Sequence, residues 1–177
     1  MLYSVRYRPV AVPAVRRLAI LCLAMAGLTI VAGGFTAGLH AGLSYNTFPL
    51  MDGRLVPDGY AMLHPLFRNL TENVAAVQFD HRLLATATLV LVTALAVLGW
   101  RGGLPRPLAV CLAAAVAAQY CLGVVTLLLA VPVPLAALHQ LGAVVLLTVI
   151  LVVVHRLSGA PRRPSGLPPV TAEISMA

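Results

Sequence analysis

The chain has 177 residues, of which 60% are hydrophobic and 10% charged, more apolar sequence than a water-soluble core of this size takes. The formal charge of +7 comes from basic residues gathered at chain ends and short connections, and aromatics make up only 6%. A basic stripe and a stacking platform are both missing, which excludes a nucleic-acid partner and leaves a lipid bilayer as the surroundings.

Residues 1–17 form an N-terminal segment carrying Arg6, Arg8, Arg16 and Arg17. A helix needs roughly 20 residues to cross about 30 Å of hydrocarbon. The first stretch that long covers 18–39. It exceeds a signal-peptide core, and Gly34, Gly38 and Gly42 recur at every fourth residue, a spacing that lets helix backbones approach closely. It is read as a retained helix.

The outer loop, 40–73, is the longest connection. Its size suggests a lid. Asn69 or Thr71 is expected to cap the helix that follows, with Glu72 near its positive end. Further spans cover 74–99, 108–130 and 134–157, all helical because backbone groups cannot stay unpaired in lipid. Arg101 and Arg106 lie between the second and third spans, and Arg156, Arg162 and Arg163 follow the fourth. All three basic groups fall on one side of a four-span chain, so both termini are predicted cytoplasmic.

The fold expected is an all-α membrane protein, a four-transmembrane-helix bundle over 18–159. It would lie in the cell's inner (plasma) membrane as a multi-pass protein, with a disordered, proline-rich cytoplasmic tail over 160–177. Cys22, Cys111 and Cys121 sit in apolar runs and read as small buried hydrophobes, without disulfide or thiolate metal site.

Two histidines stand inside these helices, His81 in Gln78-Phe79-Asp80-His81-Arg82 and His139 in Leu138-His139-Gln140. Both lie roughly 8–10 Å in from the outer side at 1.5 Å per residue. A polar side chain in the bilayer marks a functional site by default, and two imidazoles at matched depth suit one haem iron held from both faces. The plainer reading makes each a packing residue with a hydrogen bond to a neighbour. Gln78 shares a face with His81, and Gln119, Gly123 and Thr126 line one face of the third span. They fit a cofactor pocket or ordinary interhelical bonding. Arg82 suits a haem propionate, and equally Asp80, Glu72 or the interface. His40, His64 and His155 are weaker candidates for iron.

The motifs Ala37-Gly38-Leu39-His40-Ala41-Gly42, Tyr45-Asn46-Thr47-Phe48-Pro49-Leu50-Met51, Glu72-Asn73, Gln78 to Arg82, Leu122-Gly123-Val124-Val125-Thr126-Leu127-Leu128, Val131-Pro132-Val133-Pro134 and His139-Gln140 resemble the haem A synthase family, in order and spacing, over residues 32–155. Members are membrane enzymes of cytochrome oxidase assembly that oxidise the C8 methyl of haem O to the formyl of haem A. They typically have eight helices in two pseudo-repeated halves, and this chain resembles the second. The resemblance implies a haem b cofactor on His81 and His139, with Arg82, Gln78, Gln119 and Thr126 around it. It gives Glu72 a catalytic role only by pseudo-symmetry with a first-half loop glutamate.

The same resemblance implies a homo-oligomer or a separate first-half subunit, haem O as substrate, an electron donor and a haem O-supplying enzyme as partners. The rival readings are a haem b-binding membrane electron carrier and a non-catalytic assembly factor.

Overall fold

The computed structural model describes residues 13–158; the start of the N-terminal segment and the expected disordered tail lie outside the described residues. Four long helices carry the fold: α1 (Pro13–Gly38), α3 (Val74–Arg101), α4 (Arg106–Leu128) and α5 (Val133–Ser158), with a single-turn α2 (Asn69–Glu72) before α3. Each long helix is long and apolar enough to cross a membrane, and the described residues contain no β-strand. The fold is therefore an all-α bundle of four candidate spans, as the hydropathy pattern predicts. Helix α1 begins five residues before the predicted span, because Pro13 is tolerated in a first turn and Arg16 and Arg17 continue the helix.

The helix ends follow local chemistry. Asn73 caps α3, its side chain accepting from Ala75 N (3.0 Å) and Ala76 N (3.3 Å). This corrects the expectation that Asn69 or Thr71 is the cap. Asn69 is buried, accepting from Leu63 N and donating to the carbonyls of Leu63 and Leu66, which fastens the loop instead. Helix α4 ends in a Schellman arrangement: Ala130 N donates to Leu127 O and Val131 N to Thr126 O. Ala130 and Val131 both adopt φ 57, where glycine is the usual residue.

The helices form a ring. Helix α1 packs on α3 and α5, and α4 packs on α3 and α5. Helices α3 and α5 thus stand at opposite corners of the bundle. The closely packed core occupies one half of its length: Ala19, Cys22 and Ala26 of α1, Val92 and Leu95 of α3, Leu112 and Val116 of α4, and Ile150 and Val153 of α5. Arg16, Arg17, Arg101, Arg106 and Arg156 belong to this same end. In the other half, no residue of α4 from Ala117 to Val125, nor of α5 from Val133 to Val145, is buried.

The outer loop closes that second half. Asp52 (φ 50) and Gly53 (φ 85) make a tight turn between Met51 and Arg54, the backbone shape that Asp-Gly favours, and buried Met51 anchors it. Asn46 donates to Gly42 O (2.7 Å) and to Leu127 O (2.8 Å), tying the loop to the end of α4.

Two sequence expectations change. Gly42 does not continue the glycine face of α1: the helix ends at Gly38, and a Cβ on Gly42 would lie 2.8 Å from Val131 Cγ2, inside the protein. Gly34 and Gly38 do face open space. Cys22 is buried, but Cys111 and Cys121 are exposed on the outside of α4, because an apolar residue facing lipid needs no burial.

Candidate functional site

The site grows from one turn of α3. From Val74 to His81 the helix rises about 10 Å, and from Val133 to His139 α5 rises about 9 Å. The two histidines therefore stand at matched depth on diagonally opposite helices. Both lie beyond the end of the packed core, on the side of the outer loop.

Each imidazole leans on its neighbouring helix in the same way. The His81 ring lies over Gly33 of α1, where an added Cβ would come 3.0 Å from its Cε1. Its Nδ1 donates to the Thr29 carbonyl at 3.1 Å. The His139 ring lies over Gly123 of α4, where a Cβ would come 2.7 Å from its Cε1. Its Nδ1 meets the Gln119 side chain at 3.1 Å. In both cases a glycine cradles the ring and the residue four positions earlier, one turn away, holds Nδ1. The arrangement repeats on the two sides of the bundle.

Sequence reading missed Thr29 and Gly33. Their signal is the matched spacing of Thr29 to Gly33 and Gln119 to Gly123. Thr29 also bonds Thr88 of α3 through its hydroxyl at 2.8 Å, which pins α1 to α3 beneath the ring.

Residues flanking His81 hold the loop. Gln78 is buried, with its amide nitrogen donating to Ala41 O (2.8 Å) and its oxygen accepting from Arg82 (3.2 Å). Arg82 donates to Thr47 O (2.8 Å) and Tyr45 O (2.5 Å). It pairs with neither Asp80 nor Glu72, and its Nε is buried without a hydrogen-bond partner in the protein. Asp80 accepts from Tyr60 instead, at 2.8 Å, and this bond raises the Tyr60 phenol above its usual range. Thr126 is buried and donates to Leu122 O at 2.7 Å, close to Leu135 O of α5 (3.5 Å).

Glu72 lies away from the imidazoles, on the surface at the end of α2, in an ion pair with Arg68 at 2.5 Å. The Arg68 hydrogen bond holds its carboxyl below the usual range. It lines an open pocket of about 490 Å³ beneath the loop, with Asp52, Asp58 and Asn73. His40, His64 and His155 are exposed and separate from the pair.

These features fit an iron porphyrin that His81 and His139 would hold: placement on diagonally opposite helices, matched depth, and a glycine beneath each ring. Neutral imidazole nitrogens suit haem iron, and orientation through Nδ1 is the usual support for a ligating histidine.

The family described as Cytochrome oxidase assembly protein (COX15-CtaA) matches residues 4–151. The chain is 52% identical over 151 residues to the heme A synthase of Granulibacter bethesdensis, covering 85% of this chain and 40% of that protein. It is 48% identical over 138 residues to the heme A synthase of Rhodospirillum centenum, covering 76% and 37%. It is 44% identical over 138 residues to heme A synthase COX15 of Bos taurus, covering 76% and 33%. The chain thus spans about two fifths or less of the length of these relatives. No solved structure matches it. With the family matched over most of its length, this four-helix chain belongs to the COX15-CtaA family of cytochrome oxidase assembly proteins.

Proposed function

We propose that the chain is the haem b-binding unit of a haem A synthase-type oxidoreductase, which oxidises the C8 methyl of haem O to the formyl of haem A for cytochrome oxidase assembly. The observation that carries this reading is the pair of glycine-cradled imidazoles at opposite corners of the bundle. His81 and His139 would hold the haem iron. The haem they would hold would supply one-electron transfer. The protein contributes ligation, burial and orientation.

Around that centre, Arg82 offers a guanidinium with no carboxylate partner of its own, the charge that a propionate needs. Gln119 orients His139. Gln78 and Thr126 hold the elements that carry the ligands, and the outer loop forms the lid. Haem O binds a second four-helix unit, another copy of this chain or a separately encoded half, and Gly34 and Gly38 on α1 leave backbone open for such packing. An electron donor and a haem O-supplying enzyme are its further partners. The arginine-rich end and both termini face the cytoplasm, with the protein in the inner membrane.

The test is spectroscopic. Protein purified in detergent is expected to carry low-spin haem b, and His81→Ala and His139→Ala are each expected to lose that signature. An unchanged spectrum in both variants would reject the ligand pair. Co-production with a haem O source is expected to yield haem A. If haem A appears only after a separate first-half subunit is added, the homo-oligomer version fails.

One observation favours a second reading, that of a haem b-binding electron carrier without synthase activity: Glu72 is engaged by Arg68 at the loop surface. Haem A yield from Glu72→Gln separates the two, since loss of product would assign that carboxylate to catalysis.

A further inference from the structure

The two imidazoles are oriented by groups of different chemical capacity. The Thr29 carbonyl can only accept, so the His81 proton sits on Nδ1 and the lone pair on Nε2. The Gln119 amide can do either. Its nitrogen donates to His139 Nδ1 (3.1 Å) and to the His139 carbonyl (2.9 Å). Nδ1 therefore accepts, and the His139 proton lies on Nε2. In the same arrangement Gln119 Oε1 is buried with no hydrogen-bond partner in the protein. A buried amide oxygen without a donor is unfavourable, because it has lost its water and gained nothing in return. The oxygen is turned toward Gly142 of α5, where any side chain would collide with it.

A half-turn of the terminal amide exchanges the two positions. Oε1 then reaches Nδ1 and gains the donor it lacks, the imidazole proton moves from Nε2 to Nδ1, and the Nε2 lone pair is freed. No net proton is taken up or released. The His139 carbonyl gives up a side-chain donor and would face Oε1, so the amide must also swing away from it as it turns; the carbonyl keeps its backbone partner within a continuous helix. His139 would then match His81.

Resting on the haem-binding reading above, we infer that Gln119 is a positioning residue that selects the His139 tautomer. Its amide donates to Nδ1 in the haem-free protein and accepts from Nδ1 when iron is bound through Nε2. The Thr29 carbonyl does the same for His81 without needing to turn, so the two ligands differ in readiness: His81 is set beforehand, and His139 is set on binding.

Two measurements test this on the full chain in detergent. Nitrogen-15 spectra of histidine-labelled, haem-free protein are expected to show His81 protonated on Nδ1 and His139 on Nε2. Finding His139 already protonated on Nδ1 overturns the proposal. Haem titration and redox potentiometry then compare variants. Gln119→Leu keeps the bulk but loses both roles, and is expected to bind haem b about 10–100-fold more weakly. Gln119→Glu can accept from Nδ1 in the bound state, and is expected to keep wild-type-like affinity while lowering the haem potential, because a carboxylate makes the imidazole more basic.

Equal weakening in both variants with no change in potential overturns the inference, since it is what a residue that only packs α4 on α5 would give. Wild-type affinity and potential in both also overturn it, while leaving the haem reading intact if His139→Ala still abolishes the low-spin spectrum. Absence of haem binding by the wild-type protein overturns both together.

Discussion

The His139 ring rests directly on the backbone of Gly123, with 2.7 Å between its Cε1 and the place where a side chain would begin. The same relationship joins His81 to Gly33 at 3.0 Å. Both glycines are thus required by a ring in the next helix rather than by a turn. Gly123→Ala is expected to push His139 aside and weaken haem b binding at least tenfold, about 1.4 kcal/mol. Gly33→Ala is expected to have the same effect with a smaller magnitude, because its neighbour is less tightly placed. Haem titration alongside circular dichroism checks this: helix content is expected to stay constant in both. Wild-type haem affinity in Gly123→Ala would show that the ring does not need the cradle.

The loop is expected to depend on Asn73 more than on any of its charged residues. Asn73 caps α3 and also donates to Gly59 O (2.6 Å), Tyr60 O (3.2 Å) and Asn69 Oδ1 (2.8 Å). Asn73→Ala removes the cap and leaves the partly buried carbonyls of Gly59 and Tyr60 without their donor. The expected loss is about 1–2 kcal/mol, with protease cleavage appearing within the outer loop. Unfolding in detergent and limited proteolysis measure the two effects separately.

The Arg68–Glu72 pair makes a pH prediction. The Glu72 carboxyl is held below its ordinary range by the Arg68 hydrogen bond. A group depressed in the folded state adds stability above its unfolded range and loses it as pH falls through the folded value. The contribution is therefore complete at neutral pH and disappears in the acid range. Both side chains are about half exposed, so the effect is expected to be small and to vanish in high salt. Melting curves of wild type and Glu72→Gln are expected to converge at low pH and differ slightly at pH 7. A difference that grows on acidification would contradict the assignment.

The turn between α4 and α5 is expected to tolerate one improvement. Ala130 occupies φ 57 at the position where a Schellman turn favours glycine. Ala130→Gly is expected to stabilise the protein by about 1 kcal/mol, visible as a higher melting midpoint with an unchanged haem spectrum. A lower midpoint would mean that the methyl group packs more usefully than the backbone strain costs.

Much of this site is legible in the sequence because polar residues in apolar helices stand out. His81, His139, Gln78 and Gln119 are conspicuous for that reason, and the four spans follow from length and hydropathy. The supports of the histidines are not. Thr29 acts through its carbonyl, which every residue possesses, and Gly33 acts by lacking a side chain. Their roles depend on the register of α1 against α3, which is set by packing and has no signature in a single helix. The cap of α3 is not legible in the sequence, because neighbouring Asn69, Thr71 and Asn73 are all residue types that suit a cap. Only the loop geometry gives it to Asn73. Cys111 and Cys121 mislead for another reason: in lipid, apolar does not mean buried.

The tight core of Ala19, Val92, Leu112 and Ile150 fills the arginine-rich half of the bundle, whereas the imidazoles occupy the half beneath the loop. Cohesion and chemistry are thereby divided between opposite ends of the same four rods. Truncating Ile150 threatens the whole scaffold, while altering Gly123 or Gln119 retunes the distant histidine pair and spares the foundation. Such a division of labour lets one end of the protein drift in sequence without endangering the architecture that holds it.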